Sequence, residues 1–213
     1  MNYTQLVDLV KQYTQNEETS FVANIPNFVQ LAEERIYNAV FIPAIRRKNQ
    51  IGTLTPSNKY LTVPADWLAN FSLSVIDPVT NAQTFLLDKD VNFIRECYPD
   101  PDDIGVPKYY AIFDKNTFIL GPTPDSNYQV ELHYYYYPPS IVTASTSWLG
   151  DNFETVLLYG TLREAYIYMK GEQDMMQYYE QKYQESLGLL KLLGEGKDRR
   201  DAYRNGLNRI PVT

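Results

Sequence analysis

Residues 128–139 read YQVELHYYYYPP. Tyr128, Val130, Leu132, Tyr134 and Tyr136 occupy every second position, and Gln129, Glu131, His133, Tyr135 and Tyr137 alternate with them. A period of two in β-branched and aromatic residues places one set on each face of a strand. Pro138 and Pro139 cannot donate to a ladder and stop it. This strand is the last of a series. QIGTLT, KYLTV, FSLSVID, AQTFLLD, YYAIFD and TFILG precede it between residues 50 and 121. Turn signals separate them at Pro56-Ser57-Asn58, residues 78–81, Lys115-Asn116 and residues 122–127. Short strands at this spacing predict antiparallel sheets or a small barrel, interrupted by one short helix near residues 88–97.

On both sides of this block the period becomes helical. Residues 3–14 place Leu6, Val10 and Tyr13 on one face. Asn24-Ile25-Pro26 reads as a helix start with Pro26 at the first helical position. From there a helix runs to about Phe41 on a stripe of Phe28, Leu31, Ala32, Ile36, Ala39 and Val40, and Pro43 ends or kinks it. Residues 151–169 carry two apolar stripes: Leu158, Leu162, Ala165 and Met169, and Phe153, Leu157 and Gly160. That predicts a central helix, and Gly160 lets a neighbour approach closely at a cost of about 1 kcal/mol of helix propensity. Residues 172–193 align Met176, Tyr179, Tyr183, Leu187 and Leu190, with Gly194 and Gly196 read as the helix end. Residues 195–213 are charged and weakly periodic, and read as an arm without a core of its own. The expected fold is α+β. An antiparallel helical bundle comes from residues 1–46 and 151–194, a β-rich insertion from 47–150 lies between the second and third long helices, and an extended C-terminal arm spans 195–213.

The 213 residues suffice for a real core, and a hydrophobic content of 44% is ordinary for a globular protein. Nineteen tyrosines are not ordinary; they suit either a Tyr-rich β core or protein interfaces. The net charge of −7 is concentrated in the middle, where residues 71–150 hold four basic and ten acidic side chains. A dedicated duplex-DNA binder presents the opposite charge, whereas an acidic surface lets DNA pass without sticking. The single cysteine, Cys97, excludes an intrachain disulfide, and its helical setting suggests burial or half-burial. The N-terminus lacks the pattern of a signal peptide, and no apolar run reaches membrane-span length. Folding in a cytoplasm is expected.

Catalytic patterns are absent from the sequence. The one histidine, His133, argues against a histidine triad or a multi-histidine metal site. GEGK at residues 194–197 fails as a phosphate loop, because Lys191 stands at the first glycine and Asp198 replaces the following Ser or Thr. Asp100, Asp102 and Asp103 before Gly105 have the acidic half of a calcium loop. Ile104 stands where an oxygen ligand is needed, and Ala111 where the bidentate Glu belongs. No cofactor and no metal are expected, and no enzymatic turnover.

Four stretches carry a family resemblance: IPNFVQLAEERIYNAVFIPAIRR, YLTVPADWL, PKYYAIFDKNTFILGPTPDSNYQVELHYYYYPP and TSWLGDNFETVLLYGTLREAYIYMK. Together they cover most of residues 20–190, and LAEERIY, VPADW, GPTPD and LLYGTLREA are their most specific elements. In content and order they resemble the head-to-tail adaptor proteins of tailed bacteriophages, the tail tubular protein A-like connectors. The resemblance implies a dodecameric ring of this chain between the portal protein and the tail nozzle protein. That ring continues the DNA channel without specific DNA binding and without a membrane. It implies a place in the virion at the head–tail junction, reached from the host cytoplasm during assembly. It also implies a portal or neighbour contact for the C-terminal arm, here Arg199, Arg200, Tyr203, Arg204, Leu207, Arg209 and Ile210. The acidic loop with Asp100, Asp102 and Asp103 is assigned to the channel or a tail partner. The alternatives are another tail or baseplate component, or a glycan-binding or glycan-cleaving tail protein.

Overall fold

The computed structural model describes residues 1–198, and the arm residues Arg199, Arg200, Tyr203, Arg204, Leu207, Arg209 and Ile210 lie outside that range. The described chain is a mixed α+β protein of two compact units: residues 1–46 with 137 onward, and residues 47–136.

The first unit is helical. It comprises α1 (Tyr3–Thr14), α2 (Thr19–Ala39), α3 (Pro43–Arg46), the short α5 (Ile141–Ala144) and α6 (Trp148–Asn152), then α7 (Glu154–Met169) and α8 (Gln173–Asp198). α1 starts on a reciprocal cap: the Asn2 side chain accepts from Gln5 N–H, and the Gln5 side chain accepts from Asn2 N–H. α7 packs against α1, α2, α6 and α8. Its buried positions, Val156, Leu157, Gly160, Thr161, Leu162, Glu164 and Ala165, occupy much of its circumference. Of these, Val156, Leu157, Leu162 and Ala165 join Leu6, Val10, Phe21, Ile25, Phe28, Ile36, Tyr179, Tyr183, Leu187 and Leu190 in one core. Each fully buried Leu, Ile or Phe contributes about 1.5–3 kcal/mol to that core. A Cβ at Gly160 would lie 3.2 Å from Ala32 Cβ and 3.3 Å from the Tyr183 ring, so this glycine sets how closely α2 and α8 flank α7.

Several helix details differ from the expectation. α2 begins at Thr19 with Pro26 inside it. Phe21 and Ile25, buried at 1% and 0% exposure, extend the apolar stripe upstream, and their burial outweighs the hydrogen bond that the proline removes. Leu31 and Tyr13 are exposed at 48% and 45%, and Glu33 and Tyr37 take the buried face instead. The helix expected over 151–169 is two helices that meet at Phe153, whose ring stacks on Trp148 at 5.6 Å. α8 does not stop at the glycines but runs on to Asp198. Gly194 is a close-approach residue, since a Cβ there would lie 2.8 Å from the Phe41 carbonyl oxygen.

The second unit holds eight strands and one helix. These are β1 (Arg47–Thr53), β2 (Tyr60–Thr62), β3 (Ala69–Ile76), β4 (Gln83–Phe85), β5 (Leu87–Asp88), α4 (Val91–Cys97), β6 (Tyr109–Asp114), β7 (Thr117–Gly121) and β8 (Gln129–Tyr135). They form two four-stranded sheets, β1-β8-β3-β4 and β2-β7-β6-β5, rather than a barrel. All pairs are antiparallel except β5 with β6. β8 is central in its sheet, with Leu132 opposite Gln50 on one side and Leu73 on the other. Its apolar face, Val130, Leu132 and Tyr134, meets Phe118, Leu120 and Tyr110 of the other sheet in a shared core. β7 is buried on both faces, because its alternate residue Ile119 packs under α4 against Ile94. The segment AQTFLLD splits into two strands in different sheets at Leu86, which turns inward. Cys97 is exposed at the end of α4, against the expectation of burial or half-burial, because Ile94, with Val91 and Phe93 beside it, takes the packed positions of that short helix. Among the described residues, no helix is long and apolar enough to cross a membrane.

Candidate interaction surfaces

The specific sequence elements act as clamps. In LAEERIY, Glu33 is 3% exposed and its Oε1 accepts the Ile141 N–H at 2.9 Å, fixing the start of α5 to α2. Burial pushes the Glu33 carboxyl above its ordinary pKa, against the bonds from Ile141 and Ser140 that pull it down. Two residues on, Arg35 Nε lies 3.0 Å from Glu164 Oε1 in LLYGTLREA. Arg163 stands 3.8 Å from the same oxygen and also bonds Glu180 of α8. Two of the four elements therefore hold each other, and α2, α7 and α8 share one ionic seam around the buried Glu164.

In VPADW, Asp66 accepts from Tyr134 Oη and Lys48 Nζ, both at 2.8 Å. Desolvation raises the Asp66 carboxyl, but the bonds from Lys48 and Tyr134 outweigh it, and its pKa falls below the ordinary carboxylate range. Trp67 donates to Asn70 Oδ1 at 2.7 Å and sets its ring edge-on to Phe118. In GPTPD, Asp125 accepts from Tyr128 Oη at 2.6 Å, and the Pro124 carbonyl accepts from Ser57 N–H at 2.8 Å. A Cβ on Gly121 would meet the Tyr98 ring at 2.8 Å, so glycine lets α4 close over the sheet. None of these groups pairs a nucleophile with a base.

Asp100, Asp102 and Asp103 are exposed in the turn after α4. Asp100 Oδ1 accepts from Asp102 N–H at 2.9 Å, and the Asp103 carbonyl accepts from Thr123 N–H at 3.1 Å. The loop is thus tied to the segment after β7, and its three aspartates are exposed. No group of three or more His, Cys, Asp or Glu is arranged to hold a metal ion among the described residues. His133 lies on the outer face of its sheet, where it pairs with Glu131 at 3.1 Å. Asn49 and Gln83 donate to the same carboxylate, making a polar ladder across three strands. Its hydrogen bonds, that from His133 first, hold the Glu131 carboxyl below its ordinary pKa. At one end of that face the Arg47 guanidinium stands 3.9 Å from the centroid of the half-exposed Phe71 ring.

Two surfaces of the helical unit stand out. On α8, Tyr178, Leu189 and Leu192 are 48%, 64% and 67% exposed. Beside α2 opens a cleft of about 250 Å³ walled by Glu33, Glu34, Tyr37, Tyr137 and Ser140. Sequence reasoning missed Glu33. Its signal was its position: it falls midway between Val29 and Tyr37, four residues from each, on the buried face of α2.

The family model described as SU10 adaptor protein matches residues 1–210. No curated protein matches the chain.

Proposed function

The chain belongs to the SU10 adaptor protein family, and from that premise we propose that it is a structural head-to-tail adaptor of a tailed phage. In this reading twelve copies form a ring between the portal protein and the tail nozzle protein. The ring continues the DNA channel and sits in the virion at the head–tail junction. The observation that carries the reading is the family match across nearly the whole chain, together with the use to which its specific residues are put. Arg35, Glu164, Asp66 and Asp125 spend their charges on internal clamps. That suits a part whose job is to hold a shape under load.

The acidic loop and the arm complete the proposal. Asp100, Asp102 and Asp103 face the channel or a tail partner, where like charge repels passing DNA. Arg199, Arg200, Tyr203, Arg204, Leu207, Arg209 and Ile210 grip the portal or a neighbouring copy, with arginines pairing to partner carboxylates and Tyr203 as an anchor. No turnover is asked of the chain.

The test is native mass spectrometry of the chain alone and with purified portal rings, using full-length protein and protein lacking residues 197–213. Twelve copies added per portal, lost on truncation while the circular dichroism is unchanged, support the proposal. No mass added to the portal by the full-length chain counts against the ring. Addition unchanged by the truncation counts against the arm alone.

A further inference from the structure

The cleft beside α2 has a defined chemistry. Two carboxylates, Glu33 and Glu34, and two tyrosine rings, Tyr37 and Tyr137, form its walls with Gln30 and Ser140, and among the described residues no lysine or arginine lines it. Glu33 is 3% exposed, and among the described residues no cation pairs with it. It accepts from the neutral Ile141 N–H and from the Ser140 side chain. A buried carboxylate beside aromatic faces fits a guanidinium better than an ammonium. The guanidinium is planar and weakly hydrated, donates in its plane to carboxylate oxygens and stacks on rings with its faces. The fold already uses this chemistry once: the Arg46 guanidinium lies 4.6 Å from the Tyr137 centroid and donates to the Tyr37 carbonyl.

The chain carries such groups close by. Gly194, near the end of α8, packs on Phe41 and Val40, one turn beyond Tyr37 along the chain. Val40 and Phe41 directly follow the end of α2 at Ala39, so α8 passes the end of α2 that carries Tyr37. Residues 199–213 follow, with Arg199, Arg200, Arg204 and Arg209 against the single acid Asp201. Fully extended, such a segment reaches up to about 50 Å. Tethering presents its arginines at an effective concentration in roughly the millimolar range, so even a weak site fills.

We infer that the cleft formed by Glu33, Glu34, Tyr37 and Tyr137 holds an arginine side chain from residues 199–213 of the same chain while the protein is free. The inference goes beyond the adaptor reading and does not rest on it, because it concerns the unassembled chain alone. Where both hold, one of the arginines proposed to grip the portal is occupied until a partner competes for it.

Trypsin tests this directly, because it takes the arginine side chain into its own pocket and cannot cut at one that is docked. Full-length protein is digested briefly, and cleavage at Arg199, Arg200, Arg204 and Arg209 is timed by intact mass. Glu34→Gln and Tyr137→Leu remove cleft groups without touching the Glu33 bond to Ile141. Glu33→Gln tests the buried carboxylate itself, and Glu17→Gln is a distant exposed control. The expected result is that one of these four sites is protected in wild type and that cleavage at that site rises about fivefold or more in Glu34→Gln and Tyr137→Leu. Glu17→Gln should leave the rate unchanged, and the helical circular dichroism should match in all four. Wild-type protection should not vary over a hundredfold dilution. Equal rates in wild type and both cleft variants overturn the inference. So does protection that disappears on dilution, which assigns the arginine to another copy.

Discussion

The two glycines of α8, Gly188 and Gly194, give opposite answers to the same substitution. At Gly188 an added Cβ meets no heavy atom of the described residues within 4 Å. Gly188→Ala therefore collects the helix-propensity gain of about 1 kcal/mol with no packing cost. At Gly194 the added Cβ would stand 2.8 Å from the Phe41 carbonyl oxygen and 3.5 Å from Val40 Cγ1. The nearer atom is backbone and cannot swing aside, so α8 must move off the chain that follows α2. Crowding of this kind costs about 1–3 kcal/mol. Set against the same propensity gain of about 1 kcal/mol, Gly194→Ala should be net destabilising by about 1 kcal/mol. The two variants then differ by about 2 kcal/mol, which separates their melting temperatures by roughly 4–8 °C at this chain length. Thermal and urea unfolding followed at 222 nm, which reads the helical unit, measures both against wild type. A Gly194→Ala protein stabilised as much as Gly188→Ala would refute the close approach and the account of why α8 needs glycine there.

Arg35→Ala strips the nearest partner from the buried Glu164, leaving Arg163 at 3.8 Å. It should cost about 1–2 kcal/mol in urea unfolding, and less when Glu164→Gln is already present; additive losses would dismiss the seam. Burial pushes the Tyr110 and Tyr134 hydroxyls up to about 12. A raised folded pKa means stability that is complete below the unfolded value near 10 and falls as pH rises through about 12. The urea midpoint should drop over that window and drop less in Tyr134→Phe; identical slopes would contradict the assignment. Asp66 runs the other way: its folded pKa is lowered, so its contribution is present above about 4 and is lost as pH falls through the folded value. Asp66→Asn should flatten the acid limb of stability below about pH 4, and an unchanged limb would remove the bonds from Lys48 and Tyr134 as its cause.

The faces of β8 were legible because a period of two has one register that buries Val130, Leu132 and Tyr134, and the structure buries those three. The stripe Tyr179, Tyr183, Leu187 and Leu190 was legible for the same reason at helical period. Local rules failed where tertiary packing overrode them. Pro26 and Gly194 are breakers by propensity, yet Phe21 and Ile25 on one side and Phe41 on the other keep the helices running past them. The clamps were illegible for a different reason. Arg35 and Glu164, or Asp66 and Tyr134, lie far apart in sequence, and no periodicity links an exposed-type residue to its distant partner. Asp100, Asp102 and Asp103 were readable as an exposed loop, because consecutive aspartates between prolines have no apolar face to bury. What that loop faces in an assembly is a property of a partner surface and is not written in its residues.

The most direct test of the central claim is cryo-electron microscopy of the full-length chain mixed with the portal protein of the same phage. The account predicts a twelve-membered ring beneath the portal. Residues 199–213 should lie on the portal or on a neighbouring copy, and the loop of Asp100, Asp102 and Asp103 should face the channel or the free tail-side surface. Portal rings without added density, from a mixture in which the chain stays a folded monomer, would contradict it.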